Sequence, residues 1–195
     1  MYIRYIKRVL GLILAIIGLP FFAVIFIVAA PLIIIEDRGP IFYNADRLGL
    51  NGKIFKMYKF RSMKVNAPDL RNPDGTTFNS ENDPRVTKIG RILRKTSLDE
   101  TPQLLNVLRG DMSWIGPRPD LPDAMEVYTR EQKKKLRVRP GITGYSQAYY
   151  RNSAEFDEKM EGDVYYASHV SLWLDLKILF KTIGTVIKKD NLYRN

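Results

Sequence analysis

The longest apolar stretch of the chain lies near its start and predicts a membrane segment. Val9 to Ile35 is a run of 27 residues without a charged side chain. As a straight α-helix, such a run would reach about 40 Å, which exceeds the roughly 30 Å of a bilayer's hydrocarbon core. Pro20, near the middle, removes a backbone donor and bends a helix. We therefore expect a membrane helix that is kinked at Pro20.

The charges on the two sides of this helix bear on its topology. Three basic residues and no acidic residue precede it, and residues 36–64 carry seven Lys or Arg against three acidic residues. The positive-inside rule places both flanks in the cytoplasm, which a single spanning helix cannot satisfy. We expect a re-entrant membrane anchor over residues 1–38; an ordinary spanning helix with a proline kink is the competing interpretation.

Residues 39–195 are predicted to form a mostly helical α+β domain with one small antiparallel β-hairpin. Ile41–Tyr43 and Ile54–Phe60 are strand-like and flank Asn51-Gly52, a dipeptide typical of type I′ turns. The stretch from Asn66 to Pro84 is polar and almost without periodicity, which predicts a long loop that acts as a lid or is simply mobile.

Four stretches after the predicted loop have helical patterns. Thr101 as N-cap and Pro102 at the first helical position predict a helix that ends at Gly110. Ser97 also begins a capping-box pattern, but a helix starting there would place Pro102 in its interior. The segment Arg130–Lys135 is typical of a solvated helical surface.

The other two helical patterns are amphipathic. One face of the first carries Ile89, Ile92, Leu93 and Thr96, with basic residues around it. Near the end of the chain, an apolar stripe is formed by Leu172, Leu176, Leu179, Ile183 and Val186, and lysines occupy another side. Such a helix either packs on the core or lies at the membrane surface, and the pattern favours neither.

Composition excludes several kinds of site. The chain has no cysteine and one histidine, His169, which removes disulfide scaffolds, thiol nucleophiles and sites built from zinc thiolates or histidine clusters. It carries 31 basic and 21 acidic residues, a net charge of +10, which favours anionic partners such as nucleic acid, phospholipid or phosphorylated small molecules. Carboxylates, cations and backbone amides remain, and these suit phosphoryl chemistry with a hard cation.

Asp99-Glu100 is the best candidate for that chemistry. The two carboxylates lie just before a predicted helix N-terminus, where free amides favour an anion. A carboxylate there can hold Mg²⁺, or attack phosphorus to give an acyl phosphate. Taken alone, such a pair more often only compensates the helix dipole.

Two proline-rich turns supply candidate phosphate-binding arginines. Pro117 and Pro119 hold the backbone around Arg118 extended, which presents its planar guanidinium for bidentate phosphate binding. Arg139 begins the turn Arg139–Gly144, which could form a phosphate-facing nest or only a corner.

Taken together, these segments resemble the small monotopic phosphoglycosyl transferases, a bacterial sugar transferase family. The resemblance extends over nearly the whole chain and its motifs occur in the family's order. They are Tyr58-Lys59-Phe60-Arg61-Ser62-Met63, Asp83-Pro84-Arg85-Val86-Thr87-Lys88-Ile89-Gly90-Arg91, Thr96-Ser97-Leu98-Asp99-Glu100, Pro102-Gln103-Leu104, Gly110-Asp111-Met112-Ser113, Ile115-Gly116-Pro117-Arg118-Pro119, Arg139-Pro140-Gly141-Ile142-Thr143-Gly144 and Asp163-Val164-Tyr165-Tyr166-Ala167.

The resemblance implies transfer of a sugar-1-phosphate from a UDP-sugar to a polyprenyl (undecaprenyl) phosphate, with release of UMP. Asp99 would be the nucleophile that forms a phosphosugar–enzyme intermediate, and it would hold Mg²⁺. Glu100 would orient the metal or manage protons. Arg118 would bind phosphate, and Lys59, Arg94 and Arg139 are further candidates for substrate binding.

The resemblance also implies a place in the cell. The catalytic domain, residues 39–195, would lie on the cytoplasmic face of the bacterial inner membrane, where amphipathic helices contact the lipid and glycan or polysaccharide biosynthesis begins. We expect no nucleic-acid partner, and the β-hairpin and the long loop could support a homodimer. Two rival functions are a membrane-anchored protein that only binds nucleic acid or anionic lipid, and a glycosyltransferase that moves the sugar alone and releases UDP.

Overall fold

The computed structural model describes residues 1–71, 78, 80, 82–150 and 155–188, with side chains up to residue 185. The elements of this part, in chain order, are α1 (Lys7–Glu36), β1 (Phe42–Leu48), β2 (Ile54–Phe60), α2 (Lys88–Lys95), α3 (Gln103–Arg109), β3 (Ser113–Ile115), α4 (Ala124–Val127), β4 (Gly141–Thr143), α5 (Tyr145–Tyr149), α6 (Phe156–Ser168) and α7 (Leu172–Lys188). The predicted loop therefore lies partly outside the described residues, and so does the side chain of Val186. The mostly helical α+β class is confirmed.

The predicted apolar helix forms a single long element, α1, which is preceded by a π-helical segment at Tyr2–Ile6. It continues through Pro20 and Pro31. In the described part of the chain, this is the one helix whose length and composition suit a membrane crossing. The re-entrant path and the kink at Pro20 stay predictions.

One side of α1 packs against the rest of the chain along its length. Ala15 is fully buried against Met57 of β2 and Val107 of α3, and Ile33 packs with Phe60 and Leu93. The opposite side is apolar and exposed, and its most exposed side chains include Phe21, Val24 and Ile27. At Gly18 the helix packs closely on α3, since a Cβ atom at this position would lie 2.9 Å from a methyl group of Leu104.

The predicted β-hairpin is confirmed. β1 and β2 pair antiparallel, from Phe42 opposite Phe60 to Leu48 opposite Ile54. Asn51 and Gly52 both have positive φ, as a type I′ turn requires, and Lys53 N–H donates to the Leu50 carbonyl across the turn.

The described residues also contain a second sheet that the pattern did not indicate. β3 and β4 pair parallel over three residues each, Ser113 with Gly141 and Ile115 with Thr143. Three residues of the predicted Arg139–Gly144 turn, Gly141–Thr143, thus belong to a strand. The glycines of this turn allow the backbones to touch, because a Cβ atom on Gly141 would lie 2.1 Å from Gly116 N.

The N-terminus predicted for α3 is wrong in its cap. The helix begins at Gln103, and the Thr101 hydroxyl donates to the Leu98 carbonyl instead of accepting from the helix. A 3₁₀ turn at Leu98–Glu100 leads directly into α3, and the first amides of the helix are bonded to backbone carbonyls: Leu104 N–H donates to Thr101 and Leu105 N–H to Pro102. The predicted end, Gly110 with φ 93°, is confirmed.

Both amphipathic patterns form helices. Thr87 caps α2, since its hydroxyl accepts from Gly90 N–H. α7 buries Ile178 in the core and exposes Trp173 and Phe180 on another side. The predicted stripe is thus only partly in the core: Leu179 packs there, whereas Leu172 and Ile183 are exposed, and contact of the exposed side with lipid stays a prediction.

The segment Gln132–Arg137 is a 3₁₀ helix, and its prediction as solvated surface is wrong at Lys135. The Lys135 side chain is only 4% exposed because it is paired with two carboxylates, Asp120 at 2.6 Å and Asp163 at 2.8 Å. Asp163 also accepts from the Ser146 hydroxyl. A single sequence cannot show such pairing, because the three partners come from distant segments.

Candidate active site

Asp99 and Glu100 occupy the 3₁₀ turn before α3. Ser97, just before the turn, adopts a left-handed conformation with φ 57°. This reversal after α2 turns the chain inward, so that Asp99 is buried and only 8% of it is exposed. The two carboxylates therefore lie at the amino-terminal end of α3 with neighbouring elements around them.

Two cations converge on Glu100 from separate parts of the fold. Lys59, on β2, places its ammonium nitrogen 2.6 Å from Glu100 Oε1. Arg118 approaches the same oxygen to 3.7 Å. Arg118 is 52% exposed while the flanking Pro117 and Pro119 are buried, which is the presentation that the sequence predicts. The structure thus brings together four of the candidate residues.

Burial and charge affect the two carboxyl groups in opposite directions. Burial raises the pKa of Asp99, and the adjacent Glu100 charge adds to this, whereas Lys59 and Arg94 oppose it. Burial would also raise the pKa of Glu100, but Lys59 and Arg118 together lower it to about 2. Within the described residues, no lysine or arginine forms an ion pair with Asp99. Glu100 is therefore the charged, paired member, and Asp99 is the unpaired one.

The other two candidate arginines have different positions. Arg94, on α2, is near enough to stabilise the charge of Asp99 and donates to the Ser62 hydroxyl at 2.9 Å. Arg139 lies at the opposite end of α3, where its guanidinium donates to the Gly110 carbonyl at 2.8 Å. It lines an open recess together with Lys7 and Arg8, and neither Asp99 nor Glu100 lines that recess.

A buried network behind Arg118 was missed by the sequence analysis. Asp120 pairs with Lys135 and also accepts from the Tyr128 hydroxyl. The Asp120 carbonyl accepts from Leu48 N–H at 2.9 Å, which ties the loop that carries Arg118 to the end of β1. The sequence signal that could have identified this network is the combination of Asp120, directly after Pro119, with the basic stretch Arg130–Lys135 later in the chain.

The residues present have a limited capacity for Mg²⁺. The described part of the chain contains no group of three His, Cys, Asp or Glu side chains that could hold a metal. Glu100 is already engaged by Lys59 and Arg118, which leaves Asp99 as the one carboxylate ligand. Magnesium sites of phosphate substrates often use one or two carboxylates and complete the shell with phosphate oxygens and water, so a metal that arrives with a diphosphate fits this donor set.

Comparison with known proteins places this site in a family. Residues 2–189 match the family model described as bacterial sugar transferase. The chain is 44% identical to the galactosyl transferase CpsE of Streptococcus agalactiae serotype III over 93% of its length. It is 40% identical over 97% of its length to the undecaprenyl-phosphate galactose phosphotransferase of Salmonella typhimurium.

The chain spans 42% of the length of each of these two relatives. A shorter relative, the uncharacterized sugar transferase EpsL of Bacillus subtilis, is 41% identical over 96% of this chain and 90% of its own length. The match extends from the apolar helix through the Asp99-Glu100 turn to α7. The chain therefore belongs to the bacterial sugar transferase family.

Proposed function

We propose that this protein transfers a sugar-1-phosphate from a UDP-sugar to a polyprenyl phosphate and releases UMP. The observation that carries the proposal is the contrast between the two neighbouring carboxylates. Glu100 is bound by Lys59 and Arg118, whereas Asp99 has no ion-pair partner among the described residues. An unpaired carboxylate beside fixed cations can attack a phosphorus atom whose charge those cations stabilise.

In the first step, an oxygen of Asp99 attacks the phosphorus that bears the sugar. An acyl phosphate bond forms, the bond from that phosphorus to the UMP oxygen breaks, and UMP leaves. Arg118 binds the diphosphate with its exposed guanidinium. Glu100 stays ionised at neutral pH, because its pKa is about 2, so its role is to orient Lys59 and Arg118 rather than to donate a proton.

In the second step, a phosphate oxygen of the polyprenyl phosphate attacks the same phosphorus atom. The acyl phosphate bond breaks, Asp99 is regenerated, and the product is a polyprenyl diphosphate sugar. Asp99 would hold a Mg²⁺ ion that neutralises part of the diphosphate charge when the donor is bound. Both steps depend on the same carboxylate, so a single substitution there removes them together.

We further propose that α1 enters and leaves the membrane from the cytoplasmic side. Both ends of α1 are held by the same domain, which supports this topology. At the first end, Lys7 pairs with Asp175 of α7 at 2.7 Å; at the other, the Glu36 carboxylate accepts from Lys88 N–H and Ile89 N–H of α2. A lipid-linked acceptor and a water-soluble donor can then meet at Asp99.

The reaction also accounts for features that the rival functions leave unexplained. A protein that only binds nucleic acid or anionic lipid would use the +10 charge but has no need of a buried, unpaired Asp99 beside Glu100. A transferase that moves the sugar alone would release UDP. Analysis of the released nucleotide therefore separates the three functions.

The test is nucleotide release from a panel of UDP-sugars with purified protein, undecaprenyl phosphate and Mg²⁺ in detergent. We expect UMP for at least one donor, dependent on the lipid phosphate, with no release by Asp99→Asn. Asp46→Asn, a surface carboxylate paired with Lys56, is the matched control and should keep full activity. Release of UDP, or undiminished turnover in Asp99→Asn, would contradict the proposal.

A further inference from the structure

Arg47 lies on the face of the β-hairpin that carries Lys59. The register pairs Tyr43 with Lys59 and Arg47 with Phe55. Strand residues two or four positions apart share a face, so Tyr43, Arg47 and Lys59 project from the same side of the hairpin. This is the side on which Lys59 reaches Glu100.

Arg47 is half-buried and lacks an acidic partner. Its guanidinium donates to the carbonyl of the neighbouring Asp46 at 3.2 Å, and no carboxylate of the described residues forms an ion pair with it. By contrast, the buried Arg61 and Arg85 are paired with Asp37 and Asp83. A half-buried guanidinium without such a partner retains hydrogen-bonding capacity for an anion.

The second arginine near this position is Arg118. Leu48 N–H donates to the Asp120 carbonyl at 2.9 Å, which holds the end of β1 against the loop of Arg118. A shallow recess lined by Gly49 and Arg118 lies at this junction. Arg118 lines this recess, and Arg47, next to Leu48 in β1, lies close enough to Arg118 for their charges to interact.

The charges around Arg47 leave this region positive. Burial, and then the nearby charge of Arg118, lowers the pKa of Arg47, while Tyr43, Asp120 and Asp123 act in the opposite direction. Both of these acids are already paired, Asp120 with Lys135 at 2.6 Å and Asp123 with Arg71 at 3.3 Å. A bound anion would remove the repulsion between the two arginines.

We propose that Arg47 is a second phosphate-binding arginine of this site, which binds the nucleotide phosphate of the donor together with Arg118. The inference rests on the proposed function. Arg118 contacts Glu100, which follows Asp99 in the chain, and Arg47 lies near Arg118. In an in-line displacement the leaving group departs opposite the nucleophile, and we assign the UMP phosphate to the side of Arg118 and Arg47.

The test compares UMP binding, by isothermal titration calorimetry, to purified wild-type protein, Arg47→Gln and Arg47→Lys. Lys56→Gln is the matched control, because Lys56 lies on the same hairpin but on its other face, paired with Asp46. We expect Arg47→Gln to weaken UMP binding by about tenfold or more, Arg47→Lys to weaken it less, and Lys56→Gln to leave it unchanged. Thermal unfolding of all variants checks that they are folded.

The same variants are tested for binding to vesicles that contain phosphatidylglycerol. Unchanged vesicle binding by Arg47→Gln, with loss of UMP affinity, supports the inference. UMP affinity equal to that of the wild type overturns it and leaves the proposed function intact, and so does loss of vesicle binding with UMP affinity retained, since Arg47 would then bind a lipid headgroup. A wild-type protein that neither binds UMP nor releases it contradicts the proposed function as well.

Discussion

At the scale of single residues, the site depends on how charge is distributed over two adjacent carboxylates. Glu100 receives Lys59 at 2.6 Å and Arg118 at 3.7 Å, while Asp99 is left buried and unpaired. An ion pair at one carboxylate thus leaves the other available as a nucleophile. The arrangement also holds two cations beside the place where a diphosphate would lie.

Arg118→Lys should separate the charge of this residue from its shape. Lysine keeps the charge but cannot bind a phosphate through two parallel N–H donors, so we expect the KM for the donor to rise about tenfold. Because Arg118 is 52% exposed, thermal unfolding should hardly change. Steady-state kinetics measure the effect, and Arg109→Lys, an exposed arginine at the other end of α3, is the control. An unchanged KM would show that the planar group is not used.

Lys135→Met should destabilise the whole domain. The substitution leaves Asp120 and the buried Asp163 without their cation, and breaking a buried pair on one side costs about 3–5 kcal/mol. Lys134→Met removes an exposed lysine paired with Glu131 and should change the free energy of unfolding by less than about 1 kcal/mol. Chemical denaturation of both variants tests this; equal stabilities would contradict the buried network.

The residues of the site were predictable in part. Arg118 was recognised because its two flanking prolines are adjacent in sequence, and Asp99-Glu100 because a helix signal follows at once. Lys135 was predicted to be solvated and is buried, whereas substrate binding by Arg139, which contacts Gly110 at the far end of α3, stays a prediction. Both depend on which distant segments meet, which local spacing does not record.

At the scale of elements, the contact of α1 with α3 relies on small side chains. Gly11, Ala15 and Gly18 follow one another at helical spacing and face α3 and β3, where Trp114 donates to the Gly11 carbonyl at 2.9 Å. Ala15 is fully buried. The close approach fixes the membrane helix against the element that begins at the candidate site.

Ala15→Leu should therefore loosen the anchor from the domain. Leucine places a larger side chain where the space is already filled, and such overpacking lowers the free energy of unfolding by about 1–3 kcal/mol. Ile16→Leu, on the exposed side of α1, adds no buried volume and should be neutral. The midpoint of thermal unfolding in detergent measures both, and an Ala15→Leu protein as stable as the wild type would contradict the packing described here.

Elements with strong local sequence signals were predicted well, whereas the three-residue strands were not predicted. The type I′ turn and the end of α3 at Gly110 were confirmed because Gly and Asn favour positive φ in any context. The three-residue strands β3 and β4 are too short for an alternating pattern. The predicted cap of α3 was wrong because the backbone carbonyls of Thr101 and Pro102 accept the first amides, while the Thr101 hydroxyl donates to Leu98.

At the scale of the whole molecule, an apolar helix is attached to one domain at both of its ends. Lys7 and Arg8 contact α7 and the last turn of α3, and Glu36 and Asp37 contact α2 and Arg61. The basic flanks predict that both ends lie on the cytoplasmic side of the membrane, and this stays a prediction. The path of the helix through lipid depends on the bilayer as well as on the sequence.

Cysteine labelling should show both ends of α1 on the cytoplasmic side. The natural chain has no cysteine, so Tyr2→Cys and Arg38→Cys each create a single reactive site. Both should be protected from a membrane-impermeant maleimide in intact cells and labelled after permeabilisation. Labelling of residue 2 alone in intact cells would contradict the re-entrant path and favour a spanning helix.

The most direct test of the account is the intact mass of the protein after incubation with a UDP-sugar and Mg²⁺ but without lipid acceptor. We predict a mass gain equal to one phosphosugar, release of an equal amount of UMP, and reversal of the mass gain when polyprenyl phosphate is added. Asp99→Asn should show none of these. Turnover with no covalent intermediate, or a phosphosugar on a residue other than Asp99, would contradict the assignment of Asp99 as the nucleophile.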